Sequence, residues 1–188
     1  MTSWLDDVIQ QHLEMESPAL FWIWSGLCAI SAVVKDNVWL NRANAYNLYP
    51  NIYVILHADS GLKKGPPIAF AKELVRLVNN TKIISGRSSI QGILKKLGTS
   101  QTQPGGHVET KSTGFICSSE LSASIVEDSA ALDILTDLYD RNYNQDEWEY
   151  LLKMDGFNLK NPTISLLGGI NAAHSERFLG KKDIQARS

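Results

Sequence analysis

Leu48-Tyr49-Pro50-Asn51-Ile52-Tyr53-Val54-Ile55-Leu56 restricts the fold more than any other segment. Its β-branched and aromatic residues read as a strand, and its near-continuous apolarity as a central one. It runs into a loop rich in small and basic residues, Ala58-Asp59-Ser60-Gly61-Leu62-Lys63-Lys64-Gly65. Beyond Pro66-Pro67 the spacing of Ala71, Leu74, Val75 and Val78 is helical. Strand, loop and helix in that order form the context that a phosphate-binding loop requires.

The rest of the chain repeats this alternation. Thr81 to Ile84 reads as a second strand, and Ser88 or Ser89 caps a helix through Ile90, Ile93, Leu94 and Leu97. Gly98 to Ser112 is polar, contains Pro104-Gly105-Gly106, and is expected as a loop or hairpin. Thr113 to Cys117 is a third strand, followed by Ser118-Ser119-Glu120 and by helical spacing from Ile125 to Tyr139. Asn142 to Gly156 reads as a polar excursion around Trp148, and Thr163 to Leu167 as a fourth strand ending at Gly168-Gly169-Ile170-Asn171. The expected fold is α/β: strands near residues 51–56, 81–84, 113–117 and 163–167 in one mainly parallel sheet, helices on both faces. Polar residues of interest fall at strand C-terminal ends, where open α/β sheets bind their ligands.

Ahead of this core, Ser3 can cap a first helix and Ser17-Pro18 starts a second, followed by a short strand at Val38-Trp39-Leu40 and a polar turn from Asn41 to Asn47. The expected division is a helical extension over residues 1–45 and a core over 46–188. The apolar run Ala19 to Val34 falls short of the ~20 residues that a membrane span needs, and it reads as a buried helix. No membrane partner is expected. The formal net charge of −2 offers no global basic field, so contact with DNA would need a local patch or an oligomer. Cys28 and Cys117 sit in apolar runs without metal-type spacing, as buried thiols of a reducing compartment do, which makes a cytoplasmic location the expectation.

Three places carry candidate chemistry. Lys64 can be aligned with the lysine of the phosphate-loop pattern Gly-x-x-x-x-Gly-Lys-Ser/Thr. Ala58 then takes the first Gly position, Lys63 the second and Gly65 the Ser/Thr, so the lysine alone matches. Gly61 permits the backbone angles of an anion nest, the following helix start offers N–H groups, and Lys63 and Lys64 add charge. A solvated basic turn is the competing reading. Glu120, at the end of the third strand, could hold magnesium or polarise an attacking water, or it could be an acid at a helix N-terminus. Asn171, at the end of the fourth strand, could bond a terminal phosphate or its attacking water, or cap a helix before Ala172-Ala173-His174. His174 has no His or Cys partner at ligand spacing.

Taken together, these blocks resemble a known family. Phe21 to Ala32, Leu48 to Val54, the Ser60 to Gly65 loop, Ser119-Glu120-Leu121 and Asn161-Pro162-Thr163 are similar in order and spacing to the DUF3987-type proteins. These are phage-, plasmid- and bacterium-encoded P-loop ATPases related to primase-associated helicases. The resemblance spans most of residues 17 to 180. It implies a RecA/AAA-like P-loop core, ATP and Mg²⁺ as ligands, single-stranded or forked DNA as partner, and a homo-oligomer. By position, the loop residues Ser60, Gly61, Leu62, Lys63, Lys64 and Gly65 would bind the nucleotide, with Lys64 on the β/γ-phosphates. Glu120 would be the catalytic or Walker-B acid and Asn171 the sensor, with Mg²⁺ held through Ser60 and Glu120. Gly65 stands where the family carries the magnesium-binding hydroxyl. The family core continues with a further strand and an arginine finger, for which Arg177 and Arg187 are the candidates here, so the core is expected to be truncated at its C-terminal side. The functions implied are a helicase-like ATPase of a mobile-element DNA replication or processing machine, a degenerate non-hydrolysing relative serving as an assembly or DNA-interaction module, or a DNA-packaging or helicase-loading ATPase.

Overall fold

The computed structural model describes residues 3–12, 14–43, 46–78, 81–86, 88–99, 101–102, 108–109, 111–121, 125, 128–140, 147–151 and 156–172. Two helices come first, α1 (Trp4–Gln11) and α2 (Ala19–Val34), then a hairpin of β1 (Leu40–Arg42) and β2 (Tyr46–Leu48). Strand β3 (Tyr53–Ala58), helix α3 (Gly65–Val78), strand β4 (Ile83–Ser85) and helix α4 (Ile90–Gly98) follow. A short pair, β5 (Gln101–Thr102) with β6 (Val108–Glu109), precedes β7 (Thr113–Ser118) and α5 (Ser129–Asp140). The hairpin of β8 (Glu147–Leu151) and β9 (Gly156–Lys160) leads into β10 (Thr163–Asn171).

The central sheet has four strands in the order β3-β10-β7-β4, all parallel. Its centre is β10, buried from Thr163 to Ile170. The strand ahead of the loop was expected to be central; among the described residues β3 stands at one end of this sheet. Its burial alternates, with Val54, Leu56 and Ala58 inside while Ile55 is 40% exposed. A strand covered on one face alternates in this way, whereas one covered on both faces, like β10, does not.

Helices cover both faces. On one, Cys28, Ala29 and Ala32 of α2 and Ile68, Ala71 and Val75 of α3 pack on Val54, Leu56, Phe115, Cys117 and Leu167. Here Ser31 Oγ bonds Ser165 Oγ, so two buried hydroxyls satisfy each other. On the other face, Ile93, Leu94 and Leu97 of α4 and Ile134, Leu135 and Leu138 of α5 pack on Ile116, Ile164, Leu166 and Ile170. α2 therefore belongs to the same apolar cluster as the sheet. Its outward side is apolar as well, with Leu20 and Trp24 exposed.

Local chemistry explains the helix starts. The Ser3 hydroxyl accepts from the Asp6 N–H while the Asp6 carboxylate accepts from the Ser3 N–H, closing a capping box, and this holds the Asp6 carboxyl below its ordinary pKa. Ser89 caps α4 by accepting from the Gly92 N–H. Two sequence expectations differ from the structure. The turn expected from Asn41 to Asn47 contributes Asn41-Arg42 and Tyr46-Asn47 to a strand pair. The polar excursion expected over 142–156 holds β8, whose alternation buries Trp148 between exposed Glu147 and Glu149. Among the described residues no helix is long and apolar enough to cross a membrane.

Candidate functional site

Parallel register brings the candidate residues together. In β10, Asn171 pairs with Ala58, the last residue of β3 before the loop, and Gly168 pairs with Ser118, the last residue of β7. The loop after β3, the turn after β7 and the end of β10 therefore open onto one edge of the sheet. They line a cleft of about 320 Å³ bounded by Ser60, Gly61, Lys63, Lys64, Gly65, Ser119, Glu120, Gly169, Ile170 and Asn171. Leu62 belongs to the loop but not to this wall, and it is 45% exposed. Arg177 and Arg187 lie outside the described residues.

The loop bends through two residues with positive φ, Gly61 at 105° and Lys63 at 42°. The phosphate-loop pattern carries glycine at the second position because a side chain there resists left-handed angles. Lys63 adopts the angle despite its side chain. Its carbonyl is held from outside by the Ser17 hydroxyl, which donates to Lys63 O at 2.6 Å from a buried position just ahead of α2. Its ammonium lies 3.5 Å from Glu16, an exposed pair of small energetic weight. Lys64 turns back over the loop, and its Nζ donates to the carbonyls of Ala58 at 2.6 Å and Asp59 at 3.0 Å. The ammonium is thus placed at the mouth of the bend, where an incoming anion would compete with the carbonyls for its protons.

The helix start, expected to offer N–H groups, offers fewer than a helix N-terminus commonly does. α3 begins at Gly65, so Pro66 and Pro67 occupy its first turn. Proline is at home there because those N–H groups have no intrahelical acceptor. For ligand binding the result is a loss: two of the first four positions carry no N–H, leaving Gly65 and Ile68.

The acid side rests on close backbone approach. The Ser118 hydroxyl donates to Glu120 O at 2.6 Å and accepts from the Glu120 N–H at 3.3 Å, and the Leu121 N–H donates to Gly169 O at 2.9 Å. A side chain on Gly169 would overlap the Ser119 carbonyl, and one on Gly168 would overlap the Leu121 side chain. The two glycines let the Ser119-Glu120-Leu121 turn lie directly on β10, which sets Glu120 at the cleft. Their role was not read from the sequence, although paired glycines inside a strand signal close backbone approach. Ser17, which anchors the loop from 46 residues away in sequence, carried no such signal.

The donor set for magnesium is thin. Ser60 and Glu120 are both exposed, Gly65 has no hydroxyl, and among the described residues no group of three or more His, Cys, Asp or Glu could hold a metal ion. Among the described residues, Ser60 and Glu120 offer only two side-chain oxygens to a Mg²⁺ ion there, which would take the rest of its shell from phosphate oxygens and water. What the cleft offers is an anion cradle: a bent backbone, two lysines, and opposite them one carboxylate and one amide at the ends of two other strands. No protein-family model matches the chain, and no curated protein matches it.

Proposed function

We propose that this chain is a RecA/AAA-like P-loop core that binds ATP through the Ser60–Gly65 loop and serves as the ATPase of a helicase-like mobile-element or phage DNA replication or processing machine. One observation carries the reading: three strand ends converge so that Lys64, Glu120 and Asn171 share a cleft behind a strand–loop–helix turn. Lys64 would exchange its carbonyl partners for the terminal phosphates, Glu120 would orient and polarise the attacking water, and Asn171 would hold the γ-phosphate or that water. Sheet order supports the same assignment, because β10 sits between the loop strand and the acid strand, with Asn171 at its end between the loop and the Glu120 turn. The ligand would arrive as ATP with Mg²⁺ carried largely by its own phosphates. Completion of the site by an arginine from a neighbouring subunit, with Arg177 and Arg187 as candidates, would make turnover depend on a homo-oligomer on single-stranded or forked DNA.

A second reading is favoured by Gly65 and the two prolines: a relative that binds nucleotide without hydrolysing it and acts as an assembly or DNA-interaction module. Lys64→Ala should weaken ATP binding by about 10–100-fold, the worth of a lost charge-assisted bond. Glu120→Gln should leave binding intact and slow hydrolysis by ~10²–10⁴-fold. Turnover should rise with protein concentration and with single-stranded DNA. ATP binding without turnover under all of these conditions would select the second reading, and unchanged ATP affinity in Lys64→Ala would overturn both.

A further inference from the structure

Resting on the nucleotide-binding reading above, we infer that the cleft recognises its ligand by the terminal phosphates alone, so that any polyphosphate tail binds, with little regard to the nucleoside and without need of a divalent cation for affinity. Three observations lead there. First, backbone N–H groups of the loop and of the helix start that follows it serve the phosphates nearer the nucleoside in sites of this kind. Here Pro66 and Pro67 remove two donors from the helix start, while Lys64, which would reach the terminal phosphates, remains at the Gly61–Lys63 bend. Second, Gly65 removes the hydroxyl that would tie Mg²⁺ to the protein, and Ser60 and Glu120 are left as solvated oxygens. Metal-free polyphosphate carries more negative charge than its magnesium complex, and the loop presents Lys63 and Lys64 to it. Third, among the described residues the cleft offers little surface for a base. Binding pockets for whole small molecules run upward from ~300 Å³ with mostly apolar walls. This one is about 320 Å³, and Ile170 is the sole apolar side chain among its lining residues. A ring held outside it would stay in water and contribute little.

The residue at 65 also supplies the probe. A Cβ at Gly65 meets nothing within 4 Å, and φ there is not left-handed, so a hydroxyl can be added without disturbing the loop. The test is calorimetric titration of the full chain with ATP, GTP, AMP and inorganic tripolyphosphate, each with Mg²⁺ and with EDTA. ATP, GTP and tripolyphosphate should agree within about threefold, AMP should bind at least ~10-fold more weakly, and EDTA should shift the ATP affinity by less than ~threefold. Gly65→Ser should make ATP affinity magnesium-dependent. Pro66→Ala with Pro67→Ala should favour ATP over tripolyphosphate by about 10-fold, through restored donors to the α-phosphate. ATP binding more than ~10-fold tighter than both GTP and tripolyphosphate, or lost in EDTA, would overturn this inference while leaving the nucleotide reading standing. Binding by none of the four would overturn both.

Discussion

Lys63 concentrates the tension between sequence and site in one residue. Its φ of 42° falls where the phosphate-loop pattern carries glycine, and a left-handed angle costs a residue with a side chain ~1–2 kcal/mol. Lys63→Gly removes that cost and adds ~0.5–1 kcal/mol of backbone entropy loss, for a net gain of up to about 1.5 kcal/mol. The exposed contact to Glu16 should subtract almost nothing. The urea midpoint should therefore rise. A fall would mean that the bend is not held as described. The lysine and the glycine of this loop were legible because strand, loop and helix succeed one another in the sequence. The missing donors were not weighed correctly, because the helix was expected to begin after Pro66-Pro67 when it begins before them.

Among the elements, β10 bears most on the site, and its Gly168-Gly169 pair is its most specific feature. Gly169→Ala would set a methyl against the Ser119 backbone carbonyl, which no rotamer change relieves. Overpacking of this kind costs ~1–3 kcal/mol, and the turn carrying Glu120 must move outward to accommodate it. Under the proposed function, hydrolysis should fall more than ATP affinity, because the loop on β3 is not touched. Gly156→Ala is the control: its added methyl would lie 3.4 Å from Leu151 Cδ2, an ordinary contact, and both stability and binding should be nearly unchanged. Equal losses in the two variants would remove the close-approach argument. Strands β3, β7 and β10 were legible from apolar runs. The β8–β9 hairpin was hidden because Glu147 and Glu149 make its segment look polar, although their alternation with Trp148 and Tyr150 has the period of a strand.

Across the whole molecule, strand types were readable and strand order was not. Composition reports that a strand is apolar; which neighbour it takes depends on contacts far apart in sequence. The three-layer packing places both cysteines in one apolar cluster, and burial pushes the Cys28 thiol up to about 12 and the Cys117 thiol up to about 11. Unfolded thiols ionise near ~8.5, so both folded values are raised. A raised acid contributes stability in full below the unfolded value and loses it as pH climbs toward the folded one. Stability should therefore fall between about pH 9 and 12, by at most ~1.4 kcal/mol per pH unit for each thiol. Urea midpoints across this range should show a shallower decline in a Cys28→Ala, Cys117→Ala double variant. Identical slopes would show that the thiols are not held protonated by the fold. Neither should react with iodoacetamide at pH 8 until the chain unfolds.

The central place of β10 also dictates when the protein can be made. As the nascent chain leaves the ribosome, β3 emerges without a partner, and β4 and β7 can form only a separate pair. The strand that joins them, Thr163–Asn171, is synthesised after both. Until then the apolar surfaces of Val54, Leu56, Phe115 and Ile116 have no completed sheet to rest in, which exposes the emerging chain to non-native association. Completion of the sheet therefore waits for β10 and is a closing step of high contact order. A ribosome-stalled chain displaying residues 1–162 should remain protease-sensitive, and one displaying residues beyond 171 should become resistant.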